Sequence, residues 1–540
     1  MQLRTVRAAI TSGLVDGFSR DGVTRWRSIP YAEPPVGSLR LKAPRPIKPW
    51  KGVLRCHRFK SCAPQSRRYT FVGFGKFQPT SEDCLTLNVV APDNIHTRPL
   101  PVMVFIHGGG YFLGSSATPI YDGASLARKD CVFVSVNYRL GALGAVDLSS
   151  LSSETHRIDD NLYLRDLVLA LRWVRDNIAS FGGDPDSVTI FGESAGAHAT
   201  VALLAVPDAK GLFHRVISQS PAEGLVSSRE QSEECALKFA SILGVQRSDA
   251  AAALMTARPN DLVAAFDQLI LQESRNLTDA FPVGPTYGTD YLPLHPAESM
   301  RMGTAHPVPL VIGNNAEEGK LFTRFLKLLP TNEPMIELLL STVDPADSER
   351  IRAAYPSYPK TAACVELGGD FMFASAVWQI ADAHSAHAPV YVYRYDYAPR
   401  TLQWSGLGAT HATELLAVFD VYRMRLGRLL STAGDQYSAL RITDDVQARW
   451  CAFAHTGAPG ENWPNYTTAD RPVLVFDRTS RLEYDPRARR RQAWEGFTSS
   501  GGCHTAQPTS EGALKPSESD IPISALQRRG KGVARDRKSG

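Results

Sequence analysis

Short runs rich in Val, Ile, Phe and Tyr recur along the chain and predict strands. They lie at Thr86–Val90, Val102–Ile106, Val132–Val136, Val188–Phe191, Leu310–Ile312, Val390–Tyr393 and Val473–Phe476. Several are continuously apolar, as strands covered on both faces are. Between them the period changes. Leu164, Leu167, Leu171, Val174 and Ile178 recur at three and four, which predicts a helix over 162–178. Strands alternating with helices give an α/β fold, a mostly parallel twisted sheet with helices on both faces. Two longer stretches, 200–305 and 320–388, are helix-like with scattered Pro. They are too long for simple crossovers and read as excursions that build walls over a site.

Composition narrows the classes. With 540 residues, 43% of them hydrophobic, the chain can bury a large core. From Thr498 the sequence turns to Ser, Gly, Pro and charge and ends in Arg528-Arg529-Gly530-Lys531 and Arg535-Asp536-Arg537-Lys538. The expectation is one folded domain over 1–497 and a disordered basic tail over 498–540, with a second domain as the alternative and a basic-patch binding role open to the tail. A net charge of +4 is too mild to call for a nucleic-acid partner. The first ten residues lack a long apolar core and no apolar run is long enough to span a bilayer, so a cytoplasmic protein is expected. Eight cysteines in a chain this long do not form a disulfide scaffold, and Cys131, in a strand-like run, reads as a small buried hydrophobe. His384-Ser-Ala-His387 has metal-like spacing but no acidic or thiol neighbour, so a metal is not expected there.

The candidate chemistry begins at Val188-Thr-Ile-Phe-Gly-Glu-Ser-Ala-Gly-Ala197. A β-branched run, a Gly-x-Ser-x-Gly pentapeptide and an Ala-rich helix former have the form of a nucleophile elbow. There Ser194 sits on a sharp strand-to-helix turn, and Gly192 and Gly196 let the adjoining backbones approach. A second feature, His107-Gly108-Gly109-Gly110, directly follows the run Val102–Ile106. Consecutive glycines can aim N–H groups at a developing oxyanion. With the amide after the nucleophile, the candidate donors are Gly109, Gly110 and Ala195. A dinucleotide fingerprint would place a third glycine where Leu113 stands. A plain structural glycine turn is the competing reading.

Together the elbow and the glycine turn resemble the type-B carboxylesterase and cholinesterase family of α/β-hydrolases. The likeness extends to Ser28-Ile-Pro-Tyr-Ala-Glu-Pro-Pro-Val-Gly-Ser-Leu-Arg40, Ser81-Glu-Asp-Cys-Leu-Thr-Leu-Asn-Val89, Asn177-Ile-Ala-Ser-Phe-Gly-Gly-Asp-Pro185 and Trp463-Pro464, and covers nearly everything to residue 497. It implies a Ser-His-Glu triad and an acyl-serine mechanism without cofactor. The family's acid is a Glu followed by Gly after a strand. Here Glu317 and Glu318 are both present, and Glu318 adjoins Gly319. The family's base is a His in Gly-x-x-His-x-x-Glu-Leu, matched by Gly408-Ala-Thr-His-Ala-Thr-Glu-Leu415, hence His411. Glu193 and Ser220 are candidate polar supports near the triad, with a simple structural role as the alternative.

The departures carry information too. Relatives often bridge the cysteines equivalent to Cys62 and Cys84; in a reducing compartment these would stay as thiols. The loop between them holds Phe71, Phe74 and Phe77 but no tryptophan. Cholinesterases stack a quaternary ammonium on a tryptophan there, so a choline-ester specialist is disfavoured. Tyr163 and Leu167 replace smaller and amide side chains of the family and imply altered packing. The implied activity is hydrolysis of small to medium uncharged esters. The alternatives are a non-catalytic binding or adhesion module on the same fold, and amide or carbamate hydrolysis by the same residues.

Overall fold

In a computed structural model, the described residues are 4–497 apart from 74, 94–97, 223, 277–281 and 325–328; the predicted tail and Phe74 lie outside them. The core of the sheet is a parallel series of seven strands. In spatial order they are Val132–Val136, Leu100–Ile106, Gly183–Glu193, Arg215–Gln219, Leu310–Asn315, Val390–Tyr395 and Pro472–Phe476. Adjacent members pair parallel throughout. Val132–Val136 and Leu310–Asn315 are buried at every position, as two-face coverage by helices requires. Antiparallel strands close both sides: Thr86–Pro92 with Val23–Pro30, Gly13–Arg20 and Arg4–Ile10 on one, Arg481–Tyr484 on the other.

The helix expected over 162–178 spans Leu162–Asn177, and Leu164, Leu167, Leu171 and Val174 are all buried. Tyr163, one of the departures noted above, is buried with its ring 4.5 Å from Tyr111. Helix Ala195–Ala205 is buried along its whole length. Its small residues let it pass close over the sheet, and it has no polar face because it has no wet side.

The structure corrects the reading of 200–305 as one helical excursion. Arg215–Gln219 is a central strand, inserted between Gly183–Glu193 and Leu310–Asn315. Only Val216 and Ile217 are apolar there; Ser218 and Gln219 are buried and hydrogen-bonded. The four helices Glu333–Leu340, Pro345–Ala354, Thr361–Gly369 and Ser375–His384 occupy the second excursion as expected. Among the described residues no helix is long and apolar enough to cross a membrane.

Candidate active site

In a parallel open sheet, residues just beyond the carboxyl ends of neighbouring strands converge. Here His107 follows Ile106, Ser194 follows Glu193, Ser220 follows Gln219, and Glu317 and Glu318 follow Asn315. The register aligns those ends, pairing Ile106 with Gly192, Glu193 with Gln219 and Gln219 with Gly313.

Ser194 has φ 57° and ψ −125°, a conformation that L residues rarely adopt, and it directly precedes helix Ala195–Ala205. Its amide donates to the Gln219 carbonyl at 2.9 Å. Every other residue from 188 to 206 is buried; Ser194 alone is partly open. The glycines around it are forced. A Cβ on Gly196 would lie 2.1 Å from the Ile106 carbonyl oxygen, and one on Gly192 2.5 Å from the Gly196 backbone. The strain and the close approach together fix the serine at the sheet's edge.

The glycine turn lies against this elbow. Gly109 has φ 112° and Gly110 φ 59°. Among the described residues the amides of Gly109, Gly110 and Ala195 make no hydrogen bond, which leaves three backbone donors beside Ser194. The turn itself is held firmly. Tyr138 donates to the His107 carbonyl at 2.6 Å and stacks on its ring at 4.6 Å. Gln65 bonds both the amide and the carbonyl of Gly114, at 2.9 and 2.8 Å. Burial pushes the His107 imidazole down to about 4, so it is neutral near pH 7.

Glu318 and His411 lie in contact. His411 Nδ1 is 2.6 Å from Glu318 Oε2. The other carboxylate oxygen accepts from Ser220 Oγ and from the Asn315 amide, each at 2.6 Å. Glu317 has a different task. It accepts from the Ala409 amide at 2.9 Å while its own amide donates to the Ala409 carbonyl, which staples the acid loop to the histidine loop. Phe373 stacks on the His411 ring at 4.4 Å and Phe322 packs at 5.3 Å, so the imidazole is clamped in plane. His411 Nε2, the free end of the ring, lies 3.0 Å from Glu193 Oε1. That contact is electrostatic, since neither atom has a hydrogen-bond partner.

Sequence reasoning did not single out Glu414, although it stood in the block that carried His411. It is buried, accepting from Asn315 Nδ2 at 2.5 Å and from Gln219 Nε2 at 3.1 Å. Three carboxyls therefore share one buried region with His411. Burial and mutual repulsion raise Glu193 to about 8 and Glu414 to about 7. Burial alone would lower His411, but Glu193 and Glu318 outweigh it and the imidazole is raised. Cys62 and Cys84 are both buried and present as free thiols.

Residues 4–494 match the model of the carboxylesterase family. The chain belongs to the carboxylesterase family. It is 37% identical over 491 residues to the para-nitrobenzyl esterase of Bacillus subtilis strain 168, covering 89% of this chain and 96% of that one. It is 32% identical over 484 residues to the phenmedipham hydrolase of Pseudarthrobacter oxydans, covering 87% and 94%. A solved PNB esterase structure superposes with TM-score 0.81 at 35% identity, over 90% of this chain and 99% of that one. Like its carboxylesterase relatives, this protein is a carboxylic ester hydrolase on the α/β-hydrolase fold.

Proposed function

We propose that the protein hydrolyses small to medium uncharged carboxylic esters through an acyl intermediate on Ser194. His411 Nε2 takes the Ser194 Oγ proton as Oγ attacks the ester carbonyl. The carbonyl π electrons move to oxygen, and the amides of Gly109, Gly110 and Ala195 receive that oxyanion. On collapse the alkoxide leaves, taking the proton from His411, and the acyl group stays on Ser194. Water then repeats the sequence: His411 accepts its proton, the tetrahedral species collapses, and Oγ is reprotonated as the acid departs.

Glu318 holds the Nδ1–H tautomer and stabilises the imidazolium formed in each half. Ser220 and the Asn315 amide fix Glu318, and Glu193 raises the proton affinity of His411. The observations that carry the reading are the 2.6 Å Glu318–His411 contact and the strained backbone of Ser194, held at φ 57°. The loop from Cys62 to Cys84 has no tryptophan to stack on a quaternary ammonium, which favours an uncharged substrate. Ser194→Ala should abolish turnover of p-nitrophenyl butyrate with an unchanged melting temperature. Near-normal turnover by that variant would overturn the assignment.

A further inference from the structure

A cavity of about 810 Å³ opens between strand Val23–Pro30, the loop that leads to Cys84 and the segment that follows the glycine turn. None of Ser194, Glu318 or His411 lines it, and the ester chemistry leaves it unused. Its charge is one-sided. Arg25, Arg27, Arg67 and Lys76 reach its wall, against a single lining carboxylate, Asp122.

Asp122 is committed to Arg25, at 3.2 Å. Even so, Arg25 is 8% exposed and its Nε has no hydrogen-bond partner. Arg27 lies two residues on, with its guanidinium over the rings of Phe18 and Phe59 at 5.0 and 4.4 Å. Among the described residues Arg27 has no ion pair. Burial lowers its guanidinium, and Arg25 and Arg20 push the same way against Asp122. Arg27 therefore brings to this wall a cation that Asp122, bonded to Arg25, does not pair.

Aromatic rings make up part of the remaining wall. Phe59, Phe77, Tyr121 and Phe133 line the cavity, and Arg67 sits 4.8 Å over the Phe77 ring. A neutral apolar ligand would leave Arg27 unanswered. An inorganic anion would leave the rings uncovered. A ligand with both parts meets both walls.

We propose that this cavity is a second binding site, for a small organic anion with an aromatic or aliphatic body, its carboxylate or sulfonate held by Arg27. The acid group accepts from the Arg27 guanidinium, and the body lies against Phe59 and Phe77. The site is independent of ester turnover.

The test is calorimetric titration of the full chain with 4-phenylbutyrate, and separately with its neutral isostere 4-phenylbutyramide. One binding event is expected, with the amide weaker by about tenfold, the worth of one charged hydrogen bond. Arg27→Gln should weaken the carboxylate by a similar factor while leaving p-nitrophenyl butyrate turnover and melting temperature unchanged. Arg67→Gln, on the exposed rim, should weaken it by about threefold and carries the test if Arg27→Gln does not fold. Absence of binding, equal affinity for acid and amide, or wild-type affinity in both variants would overturn the proposal. The last result would place the ligand elsewhere, including at the ester site.

Discussion

Replacing Glu193 by Gln tests how the buried carboxyls govern the histidine. His411 acts as a base only when neutral, so activity is lost as pH falls through its pKa. Glu193 Oε1 stands 3.0 Å from Nε2 and is the first of the carboxylates that raise that pKa. A unit charge at this distance is worth about 1.4 kcal/mol at the dielectric of water, about one pKa unit, and several times more at an effective dielectric of 20. Burial holds the Glu193 carboxyl up to about 8, so it carries only part of a charge near pH 7. The partial charge offsets the stronger field of the buried site. Glu193→Gln should therefore move the acid limb of the kcat/KM profile down by about one pH unit. The assay is kcat/KM for p-nitrophenyl acetate from pH 5 to 9, with melting temperature followed in parallel. An acid limb that stays in place or moves upward, in a folded variant, would refute the electrostatic account.

Three further outcomes follow from the same geometry. Gly109→Ala sets a Cβ 2.2 Å from the Leu113 carbonyl oxygen at a φ of 112°, so the turn must shift. Initial-rate kinetics should show kcat reduced by about 10²-fold with little change in KM, the cost of one lost oxyanion donor; an unchanged kcat would remove Gly109 from that role. Ser220→Ala deletes the 2.6 Å bond to Glu318 Oε1. It should lower kcat/KM by about tenfold and unfolding free energy by about 1–3 kcal/mol, read by denaturant titration. Glu317→Gln should be milder than Glu318→Gln in kcat, because Glu317 bonds the Ala409 amide and Glu318 bonds His411.

The chain's patterning revealed the strands that are apolar on both faces, and with them the elbow and glycine turn at their ends. It missed the strands whose burial is partial or polar. Arg4–Ile10 and Gly13–Arg20 carry Arg7 and Asp16, paired across the ladder at 2.7 Å, which reads as loop charge until the pairing is known. Arg215–Gln219 hides for a related reason. Its buried Gln219 is satisfied by Glu414 and Trp450, residues nearly two hundred or more positions away. The site divided along the same line. Ser194 and the glycines announce themselves locally because the backbone needs them. Glu318 and His411 were reached through blocks that resemble a family, and neither has a local signature. Phe322, Phe373 and Asn315 act by lying against His411 or Glu318 in three dimensions, and no spacing rule marks them.

The central claim is that Ser194 is the nucleophile, and covalent trapping reads it directly. The full chain, treated with a fluorophosphonate and digested, should yield one modified peptide carrying the adduct on Ser194, with loss of p-nitrophenyl butyrate hydrolysis in step with labelling. An adduct on another residue, or full activity with Ser194 labelled, would contradict the account.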